Sequence, residues 1–367
     1  MAKRPAPGET DFERTLDRYK GLIDSGIGSL LDEKILESEG FLKSAYTALK
    51  EFLLKGGKRL RPAMTIMAYR AVCPRDEDRI LGPAVGIELF HNSSLIHDDI
   101  MDEDSRRRGM PSMHKTFEGL FLRDFEERTY EGRIFRRMSE RFGVSMAILQ
   151  GNILFALTEL CFTRSDFDSD RIKGALDVIN HAYRATSEGQ MLDILSELKG
   201  DFAERDCWRV IQAKTAYLFG AAVQVGAILG GATPGQVEAL SRYAVCTGTA
   251  FQLQDDLVDI SPGRKGHAFG SDIRRGKATL LMIKAFKAAS PKQRKVLRSA
   301  LGNDKATRAT IDAAAAVLAA TGAADEVSRL ARKELRKGRS SLSNVGLSEE
   351  GEAFFAGLTD FLTRRKI

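Results

Sequence analysis

Apolar residues recur at helical spacing along almost all of this chain of 367 residues. No stretch alternates polar and apolar with the period of two that marks a half-buried strand. Phe41 to Phe52 shows the pattern, with Leu42, Tyr46, Leu49, Phe52 and Leu53 forming one stripe and lysines opposite. Pro62 to Val72, Pro83 to Ile96, Val144 to Leu160, Val210 to Leu229, Val237 to Val258 and Ala278 to Ala289 read the same way. Only 9 prolines interrupt the chain, and each removes an amide donor that a helix interior needs. The expected fold is all-α: one helical bundle spanning residues 1–367, with a flexible tail over 1–10.

The remaining composition narrows the class. Hydrophobic residues make up 43% and charged residues 29%, enough apolar material to bury a sizeable core. Thr215 to Val237 carries no charge and approaches the length of a bilayer span. Its apolar residues are mostly small, however, and Gln224, Pro234 and several glycines interrupt it, so a buried helix is expected and no transmembrane segment. Cys73, Cys161, Cys207 and Cys246 lie far apart without metal-like pairing. They read as reduced thiols of a cytoplasmic protein, and Met1 to Thr10 has no apolar stretch for a signal peptide. The net charge of +6 is spread among acids with no nucleic-acid motif, so small polyanions are the expected partners rather than nucleic acid.

The segment from Phe117 to Phe142 stands apart. Phe117, Phe121 and Phe125 recur every four residues, and Arg133, Arg136, Arg137 and Arg141 follow. It reads as a helical insertion, a surface hairpin packed on the body or on a second subunit. A lid, or a helix in transient membrane contact during product release, is the alternative.

Two carboxylate clusters share one spacing. HDDIMDED (His97 to Asp104) and QLQDDLVDI (Gln252 to Ile260) each contain Asp-Asp-x-x-Asp: Asp98, Asp99, Asp102 and Asp255, Asp256, Asp259. On a helix, residues four apart share a face. Like charges crowded at a helix end repel unless a cation neutralises them. Magnesium suits the donors, because it takes oxygen ligands and completes its shell with water and substrate phosphate. Solvated helix ends would explain one such cluster; two, each closing an apolar helix, point to metal.

Basic clusters accompany them. GGKRLRP (Gly56 to Pro62) sets Lys58, Arg59 and Arg61 beside a glycine pair and a helix start, a suitable diphosphate site. Arg106, Arg107 and Arg108 follow the first aspartate cluster, Lys214-Thr215 opens the uncharged segment, and Lys277 with Thr279 follows the second cluster.

In this order GGKRLRP, HNSSLIHDDIMD, RRG, EGQMLD, KTAYLF, FQLQDDLVD and GKATLL resemble the trans-type polyprenyl diphosphate synthase family, which includes the farnesyl and geranylgeranyl diphosphate synthases. The resemblance runs from about Leu42 to Ile283. It implies a bundle around a central cavity, a homodimer, and condensation of isopentenyl diphosphate with allylic diphosphates. Lys58, Arg61, His91 and Arg108 would hold the diphosphate of isopentenyl diphosphate. Asp98, Asp102 and Asp255 would ligate three magnesium ions on the allylic diphosphate, supported by Asp99, Asp256 and Asp259. Arg107, Lys214, Gln252 and Lys277 would grip that diphosphate, and Thr215 and Gln190 would offer oxygen dipoles to the allylic cation.

Two positions depart from the family pattern. Asn152 stands where Gly-Asp is usual, and His267 where Gly-Lys is usual, so His267 would meet the diphosphate only when protonated. Both departures leave open a non-catalytic subunit of a heteromeric synthase. A terpene cyclase would lack GGKRLRP and the second Asp-Asp-x-x-Asp. Ser93 and Ser94, just before Asp98, are small where the family places an aromatic that stops growth. Phe90, the next large candidate, lies eight residues before Asp98, about 12 Å deeper at 1.5 Å per residue. Geranylgeranyl diphosphate is the expected product, with farnesylgeranyl or longer as the alternative.

Overall fold

The computed structural model describes residues 10–130, 134–199, 203–260 and 269–364. His267 and nearly all of the tail over 1–10 lie outside them. Apart from one two-stranded ribbon and an isolated bridge, the regular structure of the described residues is all helical, as the all-α expectation requires. They fall into two compact units.

The first unit spans Met1–Leu176 with Ile228–Gly231. It holds α1 (Asp11–Leu36), α2 (Gly40–Leu54), α3 (Leu60–Val72), α4 (Glu77–Met101), the ribbon β1 (Arg106–Arg107) and β2 (Met110–Pro111), α5 (Met113–Asp124), α6 (Met138–Thr163) and the start of α7 (Ser169–Lys199). α1 opens on a capping box, in which the Thr10 side chain accepts from the Glu13 amide and Glu13 returns the bond. Its buried stripe of Leu16, Tyr19, Ile23, Ile27 and Leu31 then docks against α2 and α4. α4 starts at Glu77, not at Pro83, so Pro83 sits inside the helix. The lost backbone bond is outweighed by burial on nearly every face, from Ile80 through Phe90 to Ile96. α4 packs chiefly against α6 and α3.

The stretch expected as a helical insertion is helical only at its two ends among the described residues. α5 stops at Asp124, α6 begins at Met138, and between them Thr129 bridges Arg137. Phe117 is fully buried, its ring 6.3 Å from Phe41 and 6.4 Å from Phe142, whereas Phe125 is 60% exposed. The aromatic stripe is thus part of this unit's own core at one end and meets solvent at the other.

The second unit spans Asp177–Ala227 with Ala232–Ile367. After α7 it carries α8 (Glu204–Val210), a π-helical turn (Ile211–Ala216), α9 (Tyr217–Gly230), α10 (Pro234–Asp259), the short α11 (Ser271–Arg275), α12 (Leu280–Ala288), α13 (Pro291–Ala300), α14 (Arg308–Ala320), α15 (Ala323–Ser341) and α16 (Glu349–Thr363). α10 lies against α15 and the π turn.

Two helices, Met138–Thr163 and Glu204–Gly230, are long and apolar enough to cross a membrane by composition. In the second, 67% of the apolar window is buried inside the protein, the signature of a core helix.

Candidate active site

The first aspartate cluster closes α4. Asp98 and Asp99 occupy its last turn and Asp102 is the C-cap, its amide donating to the Asp98 carbonyl at 2.8 Å. A helix C-terminus already carries partial negative charge, so carboxylates there raise the local field further. Arg107 relieves part of it. Its Nε donates to Asp99 Oδ1 at 2.7 Å, and Nη2 lies 3.9 Å from Asp98 and 3.6 Å from Asp104. Asp99 is buried and its other oxygen has no hydrogen-bond partner. Burial, opposed by Arg107, raises its carboxyl to about 6.

The ribbon after α4 separates two arginines. Arg108 and Gly109 both have positive φ, 52° and 79°, as a two-residue hairpin loop of type I′ demands. Arg107, the last residue of β1, turns to the aspartates, while Arg108, held in the left-handed conformation of the loop, directs Nη1 to the Gly56 carbonyl at 3.3 Å.

That contact belongs to a cationic cluster. Gly56 and Gly57 have φ of 79° and 103°, which lets the chain turn sharply into α3. Arg61, in the first turn of α3, places Nη1 3.2 Å from His91 Nε2 on α4. Burial lowers the Arg61 guanidinium to about 10, with Glu88 opposing and Arg108 adding to the drop. Burial and then Arg61 and Arg108 hold His91 well below 6.5, so it is neutral. Cations held this close repel one another, and an incoming anion relieves them. Lys58 is exposed beside this cluster.

In the second unit the aspartates of α10 divide their tasks. Thr215 Oγ1 donates to Gln252 Oε1 at 2.8 Å, and Gln252 Nε2 donates to Asp256 Oδ1 at 2.9 Å. Burial, then Asp272 and Asp255, push the Asp256 carboxyl well above its ordinary value. Asp259 accepts from Ser271 Oγ at 2.7 Å and from the Asp272 amide at 3.2 Å, so both oxygens serve the start of α11. Asp255 alone of the three is half-exposed.

Lys214 sits within the π turn, where one extra residue per turn re-aims side chains. Glycines allow close approach on two sides. A Cβ on Gly189 of α7 would lie 2.7 Å from the Lys214 amide nitrogen, and one on Gly248 of α10 2.9 Å from Ala216 Cα. Lys214 Nζ donates to Asp193 Oδ2 at 2.8 Å, and Lys277 Nζ lies 4.0 Å from the same oxygen. Asp193 was not among the residues singled out from sequence. Its signal was the EGQMLD motif, where it follows the buried Gln190 by one helical turn.

Further back along α4, Ser93 is fully buried and its hydroxyl donates to the Gly151 carbonyl of α6 at 2.8 Å. Ser94 is half-buried and bonds the His91 carbonyl at 2.7 Å. Phe90 meets Phe155 edge-on, ring centroids 6.1 Å apart. Asn152 is exposed on α6.

The donors fit a hard divalent cation: all are carboxylate oxygens, and one buried oxygen of Asp99 lacks a partner. Among the described residues no three acidic, histidine or cysteine side chains converge on one point.

Residues 43–318 match the polyprenyl synthetase family. The short chain isoprenyl diphosphate synthase of Methanothermobacter thermautotrophicus is 34% identical over 92% of this chain and 96% of its own length. The geranylgeranyl diphosphate synthase of Methanosarcina mazei is 33% identical over 81% and 82%. Among solved structures, the geranylgeranyl pyrophosphate synthase of Corynebacterium glutamicum, complexed with isoprenyl diphosphate and magnesium, superposes with a TM-score of 0.87. It is 28% identical, covering 96% of this chain and 99% of that one.

Proposed function

The chain belongs to the polyprenyl synthetase family, and from that membership we propose which residues carry its reaction and which product it makes. It is a short-chain trans-prenyltransferase, magnesium-dependent like its family, that condenses isopentenyl diphosphate with allylic diphosphates. The whole chain acts as one synthase domain.

The divergence of Arg107 and Arg108 carries the assignment of roles, because one short ribbon supplies a cation to each of two anion sites. Lys58, Arg61, His91 and Arg108 hold the diphosphate of isopentenyl diphosphate, with guanidinium forks matched to phosphate oxygens. Neutral His91 contributes a hydrogen bond without adding to the repulsion between Arg61 and Arg108. Arg107, Lys214, Gln252 and Lys277 bind the allylic diphosphate, His267 joining them when protonated. Magnesium, three ions held by Asp98, Asp102 and Asp255, supplies electrostatic stabilisation of the departing diphosphate. Asp99, Asp256 and Asp259 act at one remove, through Arg107, Gln252 and α11.

The allylic carbon–oxygen bond breaks, and the electron pair leaves with the diphosphate. Thr215 and Gln190 turn oxygen dipoles toward the allylic cation, a preorganised arrangement that needs no reorientation during the step. The double bond of isopentenyl diphosphate attacks, and a proton is lost to the released diphosphate.

Geranylgeranyl diphosphate is the product this reading favours, with farnesylgeranyl diphosphate second because Ser93 and Ser94 are both small. Incubation with magnesium, isopentenyl diphosphate and each allylic primer, followed by chromatography of dephosphorylated products, tests it. Ser94→Phe is expected to shorten the main product by at least one isoprene unit. Ser93→Phe is the poorer probe, since its ring would first have to displace the α6 backbone. An unchanged product from Ser94→Phe would remove this helix face from the tail path.

We also propose a homodimer. α6 exposes Ile148 at 43%, Leu149 at 51% and Leu160 at 37%, an apolar face that a second copy can cover. Sedimentation equilibrium should report twice the chain mass, and Leu149→Glu should shift it toward one. A monomeric native protein would dispose of this assignment. The four cysteines are unpaired, which fits a reducing compartment such as the cytoplasm.

A further inference from the structure

Arg59 lies in the middle of GGKRLRP yet points away from solvent, while Lys58 beside it is exposed. Its Nε donates to Asp24 of α1 at 2.8 Å, its Nη1 to Glu88 of α4 at 2.6 Å, and its Nη2 to the Leu53 carbonyl near the end of α2. Asn92 Nδ2 gives Glu88 a second hydrogen bond at 2.9 Å. The Arg59 backbone is left-handed, φ 51°, a conformation non-glycine residues seldom adopt unless their surroundings enforce it. One side chain thus ties three helices to the loop that precedes α3.

Glu88 is what makes the tie matter. It is a buried carboxylate set among cations, one turn before His91. Arg61 lies 3.2 Å from that His91, and a Cβ on Gly57 would meet both Arg59 Nη1 and Arg108 Cζ, at 3.1 and 3.4 Å. Burial lowers the Arg61 and Arg108 guanidiniums, and the Glu88 carboxylate opposes that drop. Left without its own counter-ion, it would compete with an incoming diphosphate for those same guanidiniums. We propose that Arg59 is a positioning residue that neutralises Glu88, keeping Arg61 and Arg108 available to the diphosphate of isopentenyl diphosphate. This rests on the assignment of that cluster made above. Buried ion pairs add little net stability against an apolar replacement, so a positional and electrostatic task accounts for this one better than stability does.

The test is steady-state kinetics on the full chain, varying isopentenyl diphosphate at saturating allylic diphosphate and then the reverse. R59M is expected to raise KM for isopentenyl diphosphate about tenfold, leaving KM for the allylic substrate within about twofold, the pattern of a lost ground-state binding interaction. R59K, which keeps the charge but cannot serve Asp24, Glu88 and the Leu53 carbonyl with three separate nitrogens, should fall between R59M and the native protein. E88Q should leave KM near its native value, and R59M/E88Q should recover to within about threefold, because the competing anion is gone. A double variant no better than R59M would mean Arg59 only holds the loop, and the proposal falls. If R59M does not fold, by thermal melting, E88Q alone decides: a raised KM overturns the proposal. R61M separates the two layers of argument. Should it leave KM for isopentenyl diphosphate unchanged, the site assignment is at fault rather than the role of Arg59.

Discussion

Asp98→Asn is expected to lower kcat/KM by about 10³ while leaving the protein as stable as before or slightly more so. The loss follows from position: Asp98 projects from the last turn of α4 with 18% of its side chain exposed. Removing a group that stabilises charge developing in a transition state typically costs about 10² to 10³ in rate, and a magnesium ligand does this indirectly. The gain in stability follows from the same position. Asp98 neighbours Asp99 and Asp102 at a helix C-terminus, where each negative charge is unfavourable by roughly 0.3–1 kcal/mol. Arg107 keeps its main partner, Asp99, so no buried cation is stranded. The measurement is kcat/KM at saturating magnesium, set beside thermal melting without magnesium. A drop in activity below tenfold would take Asp98 out of the ligand set, and a marked fall in melting temperature would show that its charge holds the fold.

Gly189→Ala should damage catalysis without removing any side chain that meets substrate. The added methyl carbon would lie 2.7 Å from the Lys214 amide nitrogen and 2.9 Å from Ala213 Cβ. Both neighbours belong to the π turn, so α7 and that turn must separate. Overpacking of this kind costs about 1–3 kcal/mol. Displacing a catalytic group by about 1 Å lowers turnover by roughly 10², so kcat should fall by about that factor as the Lys214 amine leaves its 2.8 Å contact with Asp193. Ala213→Gly in the same chain removes one of the two clashes and should restore part of both stability and rate. Native kcat in a folded Gly189→Ala protein would show that the π turn tolerates displacement.

Much of the fold was legible because helix formation is local. Leu49 and Leu53 of the expected stripe became the buried face of α2, joined by Ala45 while Leu42 is exposed, and the uncharged run after Thr215 became the buried α9. α1 carried equally plain signals, Thr10-x-x-Glu13 and the apolar positions Leu16, Tyr19, Ile23, Ile27 and Leu31, yet its many charges draw the eye to its exposed face. Pro83 misled for a physical reason. Proline favours the first turn of a helix, but α4 buries so much on all sides that one missing backbone bond inside it is tolerated. The aromatic spacing at Phe117 and Phe121 marks a face that packs on Phe142, whereas where α5 stops, at Asp124, is set by packing that the spacing does not encode.

The sequence alone determined that this chain would be helical and would end two apolar helices in Asp-Asp-x-x-Asp, since periodicity and charge spacing are written within a few turns. Only the tertiary structure decided which donors reach each aspartate. Asp99 is taken by Arg107, Asp256 by Gln252 and Asp259 by Ser271, while Asp98, Asp102 and Asp255 stay half-exposed. It likewise set Asp193 between Lys214 and Lys277, and Arg59 against Glu88. A carboxylate's role depends on which donor reaches its oxygens, and these donors come from other segments of the chain, brought there by packing that no local spacing encodes.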